Sequence, residues 1–186
     1  MQKLIKLSDE KILSDILSSF KCSIDKDIEN FLVKKSVSFE NRGKSRTFLF
    51  LDKENNFSVV AYFSIALHSF DLFNLSNTKI KKLDGFNHKN KNKKIKHLPS
   101  ILIGQLGKND NYKNFKGSII MDKCLEYILI GQKYLSGRFI ILECKNIKYL
   151  LDFYEKFGFF IIDKNYNKDE LVQFFRVFKK EELIFK

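Results

Sequence analysis

Apolar residues recur at helical spacing in the first part of the chain and then crowd into two short runs. The helical spacing follows Ser8 and again Asp25, so we expect two helices with these residues as their N-caps. The two runs, 47–51 and 57–67, are rich in β-branched and aromatic residues and flank a polar turn, which predicts two strands. The simplest pairing of these strands is a hairpin.

The second half of the chain alternates between strand-like and helix-like patterns. The predicted order is strand, helix, strand, helix, strand, strand, over 98–107, 117–135, 139–142, 147–156, 159–162 and 172–178. Asn146 is expected to cap the shorter helix and Gly158 to end it. The segment 68–96 has no clear period and is expected to be an irregular loop. Because the helix from Gly117 can connect two parallel strands, the elements predict an α/β fold, a mixed sheet with helices on both faces.

Composition fits one domain over 1–186, since 44% of the residues are hydrophobic and 20 are Phe. The longest apolar runs are far shorter than the ~18 residues of a membrane span, and the N-terminus has no apolar signal region. We therefore expect a cytoplasmic protein without a membrane partner. An odd number of cysteines with no C-x-x-C pair predicts reduced thiols, with neither a disulfide framework nor a metal site: Cys22, Cys124 and Cys144.

The net charge of +12 is unevenly distributed. The segment 79–97, which we call the basic loop, holds eight lysines and one acid, Asp84, so it carries +7. Two interpretations stay open. A compact lysine cluster attracts polyanions such as tRNA, and a solvated, lysine-rich surface loop has the same composition.

One candidate site is the turn 111–118, which opens a helix. Unpaired backbone N–H groups at a helix start, with Lys113 and Lys116 beside them, suit a phosphate. The turn has a single glycine, Gly117, so the same residues also fit an ordinary helix start.

Two titratable side chains near the C-terminus are candidates for proton transfer. Tyr154 lies near the end of a helix and could donate a proton to a leaving thiolate, or it could simply pack. Glu143 lies at the end of a strand, where α/β proteins bind ligands, or it could be a solvated edge residue.

The stretches LPSILIGQLGKNDNYKNFKGSIIMDKCLEYIL, FIILECKN and LLDFYEKFGF resemble the GNAT superfamily of acetyl-CoA-dependent N-acetyltransferases. The earlier stretches FKCSIDKDIENFL, TFLFL and VVAYFSIAL also resemble the subgroup that includes acetyltransferase toxins of bacterial toxin–antitoxin pairs. The resemblance implies a mixed, mostly antiparallel central sheet of about six or seven strands with helices on both faces. In that fold the fourth and fifth strands splay apart and admit the pantetheine arm of acetyl-CoA.

The resemblance also implies roles for individual residues. Backbone groups of three residues would meet the pantetheine arm: Leu106, Gly107 and Lys108. Six residues would wrap the pyrophosphate: Lys113, Asn114, Phe115, Lys116, Gly117 and Ser118. Asn146 would approach the arm, Tyr154 would protonate the departing thiolate, and Glu143 is a candidate acceptor for the proton of the amine.

Two departures from the family pattern are visible. The phosphate turn lacks one glycine and its first basic residue, and Asn146 precedes Tyr154 by eight residues, one more than the common spacing.

The expected function is transfer of an acetyl group from acetyl-CoA to a primary amine, carried by an aminoacyl-tRNA, a protein or a small molecule. The alternative is a non-catalytic nucleic-acid-binding module on the same fold. The oligomeric state stays open, with a homodimer as one option.

Overall fold

The structure is a computed structural model in which residues 2–3, 10–73, 75–85, 95–162 and 171–183 are described. The helices are α1 (Glu10–Ser18), α2 (Lys26–Asn30), α3 (Ser36–Asn41), α4 (Asn77–Asp84), α5 (Gly117–Leu135), α6 (Lys148–Lys156) and α7 (Lys180–Leu183). A π-helical segment, Phe31–Lys35, joins α2 to α3.

The strands are β1 (Gln2–Lys3), β2 (Arg46–Asp52), β3 (Ser58–Asp71), β4 (His97–Lys108), β5 (Phe139–Lys145), β6 (Phe160–Ile161) and β7 (Leu171–Val177). They are hydrogen-bonded in the order β1-β2-β3-β4-β5-β7-β6. Four of these pairs are antiparallel: β1–β2, β2–β3, β5–β7 and β6–β7. The described strands and helices form an α/β fold, which confirms the fold class expected from the sequence.

The chain divides into two compact units. Unit 1 comprises Met1–Ala66 and Ile103–Ile128, and unit 2 comprises Leu67–Leu102 and Leu129–Lys186. β3, β4 and α5 each contribute residues to both units.

Unit 1 is built on the β2–β3 hairpin, which the sequence predicted. Leu49 and Tyr62 are paired across it, and their face packs on three buried side chains: Leu17 of α1, Phe20 just after α1, and Leu32 of the π-helical segment. On the other face Phe48 and Phe63 stack with their ring centroids 4.9 Å apart. Tyr127 of α5 meets Phe48 at 4.5 Å, so helices cover both faces of this hairpin.

Unit 2 is built on the β5–β7 pair, whose register runs from Phe139 opposite Val177 to Lys145 opposite Leu171. One face carries Phe139, Ile141 and Phe175 and packs on Leu83 of α4. The opposite face carries Phe174, which contacts Tyr154 of α6 with ring centroids 5.7 Å apart. Helices thus lie on both faces of this unit as well.

The predicted irregular loop over 68–96 is wrong in two places. Residues 68–71 continue β3, and 77–84 form α4. The Ser76 side chain accepts a hydrogen bond from the backbone N–H of Lys79 and caps the helix, and Gly85, with φ +79°, ends it. Residues 86–94 of the basic loop lie outside the described residues.

Among the predicted caps, Asp25 is confirmed, because its side chain accepts from the backbone N–H of Asp27. The cap assigned to Asn146 is wrong. The N-cap of α6 is Ile147, which supplies no side-chain cap bond. Its carbonyl instead accepts from the N–H groups of Leu150 and Leu151, so backbone bonds start this helix. The expected cap Ser8 lies outside the described residues, and so does the segment 163–170 between the last two predicted strands.

Candidate functional site

The end of β4 is fixed by packing at Gly107. A Cβ atom there would lie 2.5 Å from Cγ2 of Ile28, 2.9 Å from Cε1 of Tyr62 and 3.1 Å from Cζ of Phe20. Because real Cβ contacts are not that short, only glycine lets the strand approach these side chains. Leu106 and Lys108, the neighbours expected to offer backbone groups to a pantetheine arm, are therefore held by a closely packed strand end.

Tyr62, one of the residues against Gly107, is fully buried and its hydroxyl donates to the backbone carbonyl of Ile28 at 2.6 Å. Burial raises its pKa well above the ordinary value, so this phenol stays neutral. It serves the packing between β3 and α2 in unit 1.

Asn109, the first residue after β4, is completely buried and anchors the loop that follows. Its side-chain amide donates to the carbonyls of Ser19 at 2.9 Å and Val59 at 2.6 Å. Its Oδ1 accepts from the backbone N–H of Asn111 at 3.1 Å. Because every polar group of this side chain is hydrogen-bonded within unit 1, the direction in which the loop leaves β4 is fixed.

Tyr112 is a second anchor of the same loop. Its hydroxyl donates to Oδ2 of Asp52 at 3.0 Å and accepts from Nδ2 of Asn55 at 3.2 Å. Ser58 Oγ completes the set with a short hydrogen bond. Sequence reasoning missed both anchors. An asparagine directly after a strand was a usable signal, since asparagine favours Asx turns, but the partners of Tyr112 lie far away in the sequence.

The loop then leads into α5, and here the residues expected at a pyrophosphate come together. Lys113, Asn114 and Lys116 are exposed, and Lys108 Nζ donates to the backbone carbonyl of Lys113 at 3.3 Å. Phe115 packs edge-on against Phe50, with ring centroids 5.4 Å apart. Gly117 and Ser118 are half-buried in the first turn of α5, a fully described turn that contains no acidic residue. This helix start is cationic and suits an anion.

In unit 2 the Tyr154 side chain is 8% exposed and lies among aromatic rings. Ring centroids of Phe153, Phe174 and Phe159 lie 5.2, 5.7 and 6.1 Å from its own. Gly158, with φ +79°, ends the helical region as the sequence predicted. The ring therefore has a fixed position, as a positioned acid requires.

Glu143 is exposed and accepts a hydrogen bond from Gln173 Nε2 at 3.0 Å. Because Glu143 is paired with Gln173 and Leu142 with Phe174, the two pairs point to opposite faces of the sheet. Tyr154 packs on Phe174, so the two candidate proton-transfer residues lie on opposite faces of unit 2. Asn146 is half-buried between β5 and α6.

The three cysteines are buried free thiols. Desolvation by burial raises the pKa of Cys144 to about 11 and raises those of Cys22 and Cys124 as well. A nucleophilic cysteine needs a lowered pKa. The raised pKa values therefore make these cysteines poor nucleophiles.

A groove of about 450 Å³ opens in unit 1 between α1 and the helical segment that ends with α3. Its walls combine apolar groups with two cations: Ser14, Leu17, Val33, Lys34, Val37, Ser38, Asn41 and Arg42. No residue predicted as part of the site lines this groove.

The described residues contain no group of three or more His, Cys, Asp or Glu side chains that could hold a metal ion. Within those same residues, no helix combines the length and the apolar character that crossing a bilayer requires.

Neither a protein-family model nor a curated protein matches this sequence. Solved structures do match. AtaT complexed with acetyl-methionyl-tRNAfMet gives a TM-score of 0.68 at 19% identity, with 90% of each chain covered. A tyrosine-to-phenylalanine mutant of KacT gives 0.66 at 16% identity, covering 93% of this chain and 94% of that one. AtaTR bound with AcCoA gives 0.64 at 18% identity, covering 84% of each chain. The chain therefore has the fold of these three structures, which confirms at the level of fold the resemblance found in the sequence.

Proposed function

We propose that the protein is an N-acetyltransferase that moves an acetyl group from acetyl-CoA to a primary amine. The observation that carries this proposal is the anchored, cationic start of α5, in a fold shared with a protein crystallised with AcCoA. Lys113, Lys116 and the N–H groups of Gly117 and Ser118 would hold the pyrophosphate of the cofactor.

The reaction is a direct attack. The neutral amine adds to the carbonyl carbon of the thioester, the carbon–sulfur bond breaks, and the thiolate leaves with the electron pair. Tyr154 would give its hydroxyl proton to that thiolate. Glu143, or water beside it, would accept the proton lost by the amine.

For the acceptor we propose an aminoacyl-tRNA. The net charge of +12 and the lysines of the basic loop favour a polyanionic carrier. The solved complex of AtaT contains acetyl-methionyl-tRNAfMet, an aminoacyl-tRNA that carries an acetyl group. We place the reaction in the cytoplasm, in keeping with three unbridged thiols.

The first test is calorimetric titration with acetyl-CoA, followed by turnover of the Tyr154→Phe variant. We expect wild-type protein to bind acetyl-CoA. Tyr154→Phe should lower kcat about 10²-fold or more while acetyl-CoA affinity stays nearly unchanged, since a positioned acid contributes 10²–10⁴-fold. The matched control is Tyr149→Phe, which removes the same hydroxyl from a 54% exposed residue of the same helix. Its kcat should equal that of wild type.

The alternative is a nucleic-acid-binding module without catalysis, and the single glycine of the phosphate turn favours it. It predicts no heat on titration with acetyl-CoA, salt-dependent tRNA binding, and the same tRNA affinity in Tyr154→Phe. That combination of results would replace the acetyltransferase proposal.

A further inference from the structure

We propose that Tyr112 is a positioning residue for the cofactor. Its hydroxyl holds the turn before α5 in the conformation that binds the diphosphate, so acetyl-CoA affinity depends on a group that acts through that turn. This inference rests on the acetyltransferase proposal above and deepens it. It assigns to Tyr112 a role that the family pattern of the phosphate turn does not contain.

The hydrogen bonds of this hydroxyl fill its capacity. A phenol oxygen has one proton to donate and two lone pairs to accept with. The hydroxyl donates its proton to the carboxylate of Asp52. Its lone pairs are therefore left to accept hydrogen bonds from Asn55 Nδ2 and Ser58 Oγ. All three partners lie at the end of the β2–β3 hairpin, the strand pair at the base of unit 1. The ring is therefore attached to the part of the unit that the strand ladder makes rigid.

The backbone of Tyr112 sits at the centre of the turn. Its N–H donates to the carbonyl of Asn109 at 3.0 Å, and its carbonyl accepts from the N–H of Phe115 at 3.0 Å. Fixing the ring consequently fixes two successive turns, 109–112 and 112–115. Lys113 and Asn114 lie inside the second turn and are exposed, so their side chains are free of the core while their backbone is held.

The hydrogen bonds of Tyr112 compensate for the glycine that the turn lacks. In a glycine-rich phosphate loop the backbone reaches its ligand-binding conformation through the freedom of glycine. Here Gly117 is the only glycine between Lys108 and Gly131. A turn built from ordinary residues binds well when it is already ordered before the ligand arrives, because ordering it afterwards reduces affinity. Asn109 orders one end of the turn and Tyr112 orders its middle.

A purely structural role for Tyr112 makes a different prediction. It would lower the melting temperature and the fraction of active protein, and the affinity of the folded fraction for every ligand would be unchanged. Positioning instead changes affinity only for ligands that carry the diphosphate. Two ligands therefore separate the two roles: acetyl-CoA, and acetyl-pantetheine, which lacks the diphosphate.

The experiment measures dissociation constants of both ligands for wild type and Tyr112→Phe by calorimetry. Loss of one charge-assisted hydrogen bond predicts that acetyl-CoA binds about tenfold more weakly to Tyr112→Phe. Acetyl-pantetheine should bind both proteins equally. The matched control is Tyr134→Phe, a hydroxyl deletion at an 84% exposed tyrosine, which should leave both constants unchanged.

Variants of Asp52, which accepts the hydrogen bond from Tyr112, test the same contact. Asp52→Ala should weaken acetyl-CoA binding like Tyr112→Phe, and Asp52→Asn should restore most of it, because an amide oxygen still accepts from the phenol. An unchanged acetyl-CoA constant in folded Tyr112→Phe, or equal weakening of both ligands, would overturn the inference. Wild-type protein that fails to bind acetyl-CoA would instead overturn the proposed function on which it rests.

Discussion

At the scale of single residues, close contacts determine the role of a side chain more than its chemical type does. Gly107 was expected from the family resemblance to offer its backbone to a ligand, and the structure gives it a packing reason as well. Cys144 has the chemistry of a nucleophile, and burial keeps it protonated. The packing at Gly107 could not come from the sequence, because this residue meets side chains from three separate parts of the chain: Phe20, Ile28 and Tyr62.

The packing at Gly107 predicts the effect of adding one methyl group. Gly107→Ala would force Ile28, Tyr62 and Phe20 to move, and overpacking of this kind costs about 1–3 kcal/mol of unfolding free energy. Urea denaturation measures it. The matched control is Gly104→Ala on the same strand, where a Cβ would lie 4.0 Å from the carbonyl of Ser64, an ordinary contact. Equal stability of the two variants would show that the strand end is looser than the distances indicate.

At the scale of elements, the sequence predicted those whose periods are long and uninterrupted. The α5 stripe, the β2–β3 hairpin and β5 all follow from apolar spacing and are confirmed as elements, although β3 runs four residues and β5 three residues beyond the predicted ends. α4 was missed because lysines separate its two core residues, Ile80 and Leu83, although Ser76 and Gly85 marked its ends. The same holds for the candidate site. Its cationic turn was predictable from neighbouring residues in the sequence. Its anchors were not, since Tyr112 bonds to Asp52, sixty positions away.

The end of α4 offers a test of that helix. Gly85 has φ +79°, and a Cβ there would lie 2.3 Å from Nη2 of Arg138, a flexible side chain that can shift. Gly85→Ala should therefore cost about 1–2 kcal/mol, mainly from the left-handed backbone. Gly131→Ala is the control, since it lies inside α5 with open space around it and should stabilise by about 0.5–1 kcal/mol. Thermal unfolding that moves both variants in the same direction would contradict this assignment.

At the scale of the whole molecule, the charge is the property that favours a polyanionic partner. The segment with eight lysines was predicted to be a loop, and the structure shows that residues 79–84 of it belong to helix α4. Lys82 in that helix lies 3.7 Å over the ring of Phe160, so one of the eight lysines stabilises unit 2 by a cation–π contact. Lys81 and Lys96 are exposed and available to phosphates.

Salt dependence tests the tRNA acceptor directly. Four phosphate contacts would give a slope of about −3 in log affinity against log salt, so raising salt fourfold should weaken aminoacyl-tRNA binding roughly 60-fold. Acetylation of a small primary amine should hardly change over the same range, since it releases no comparable counterions. Filter binding and a coupled assay of CoA release measure the two quantities.

A charge-matched pair of variants then locates the contact. Replacing three lysines of the basic loop by glutamine should reduce the slope by about 2–3: Lys89, Lys91 and Lys93. Replacing three exposed lysines of unit 1 changes the net charge equally and should reduce the slope much less: Lys34, Lys35 and Lys53. Equal reductions would mean that the overall field, not the basic loop, attracts the tRNA. A flat response of the wild type would exclude the tRNA acceptor and leave a protein or a small amine, because neither needs phosphate contacts to bind.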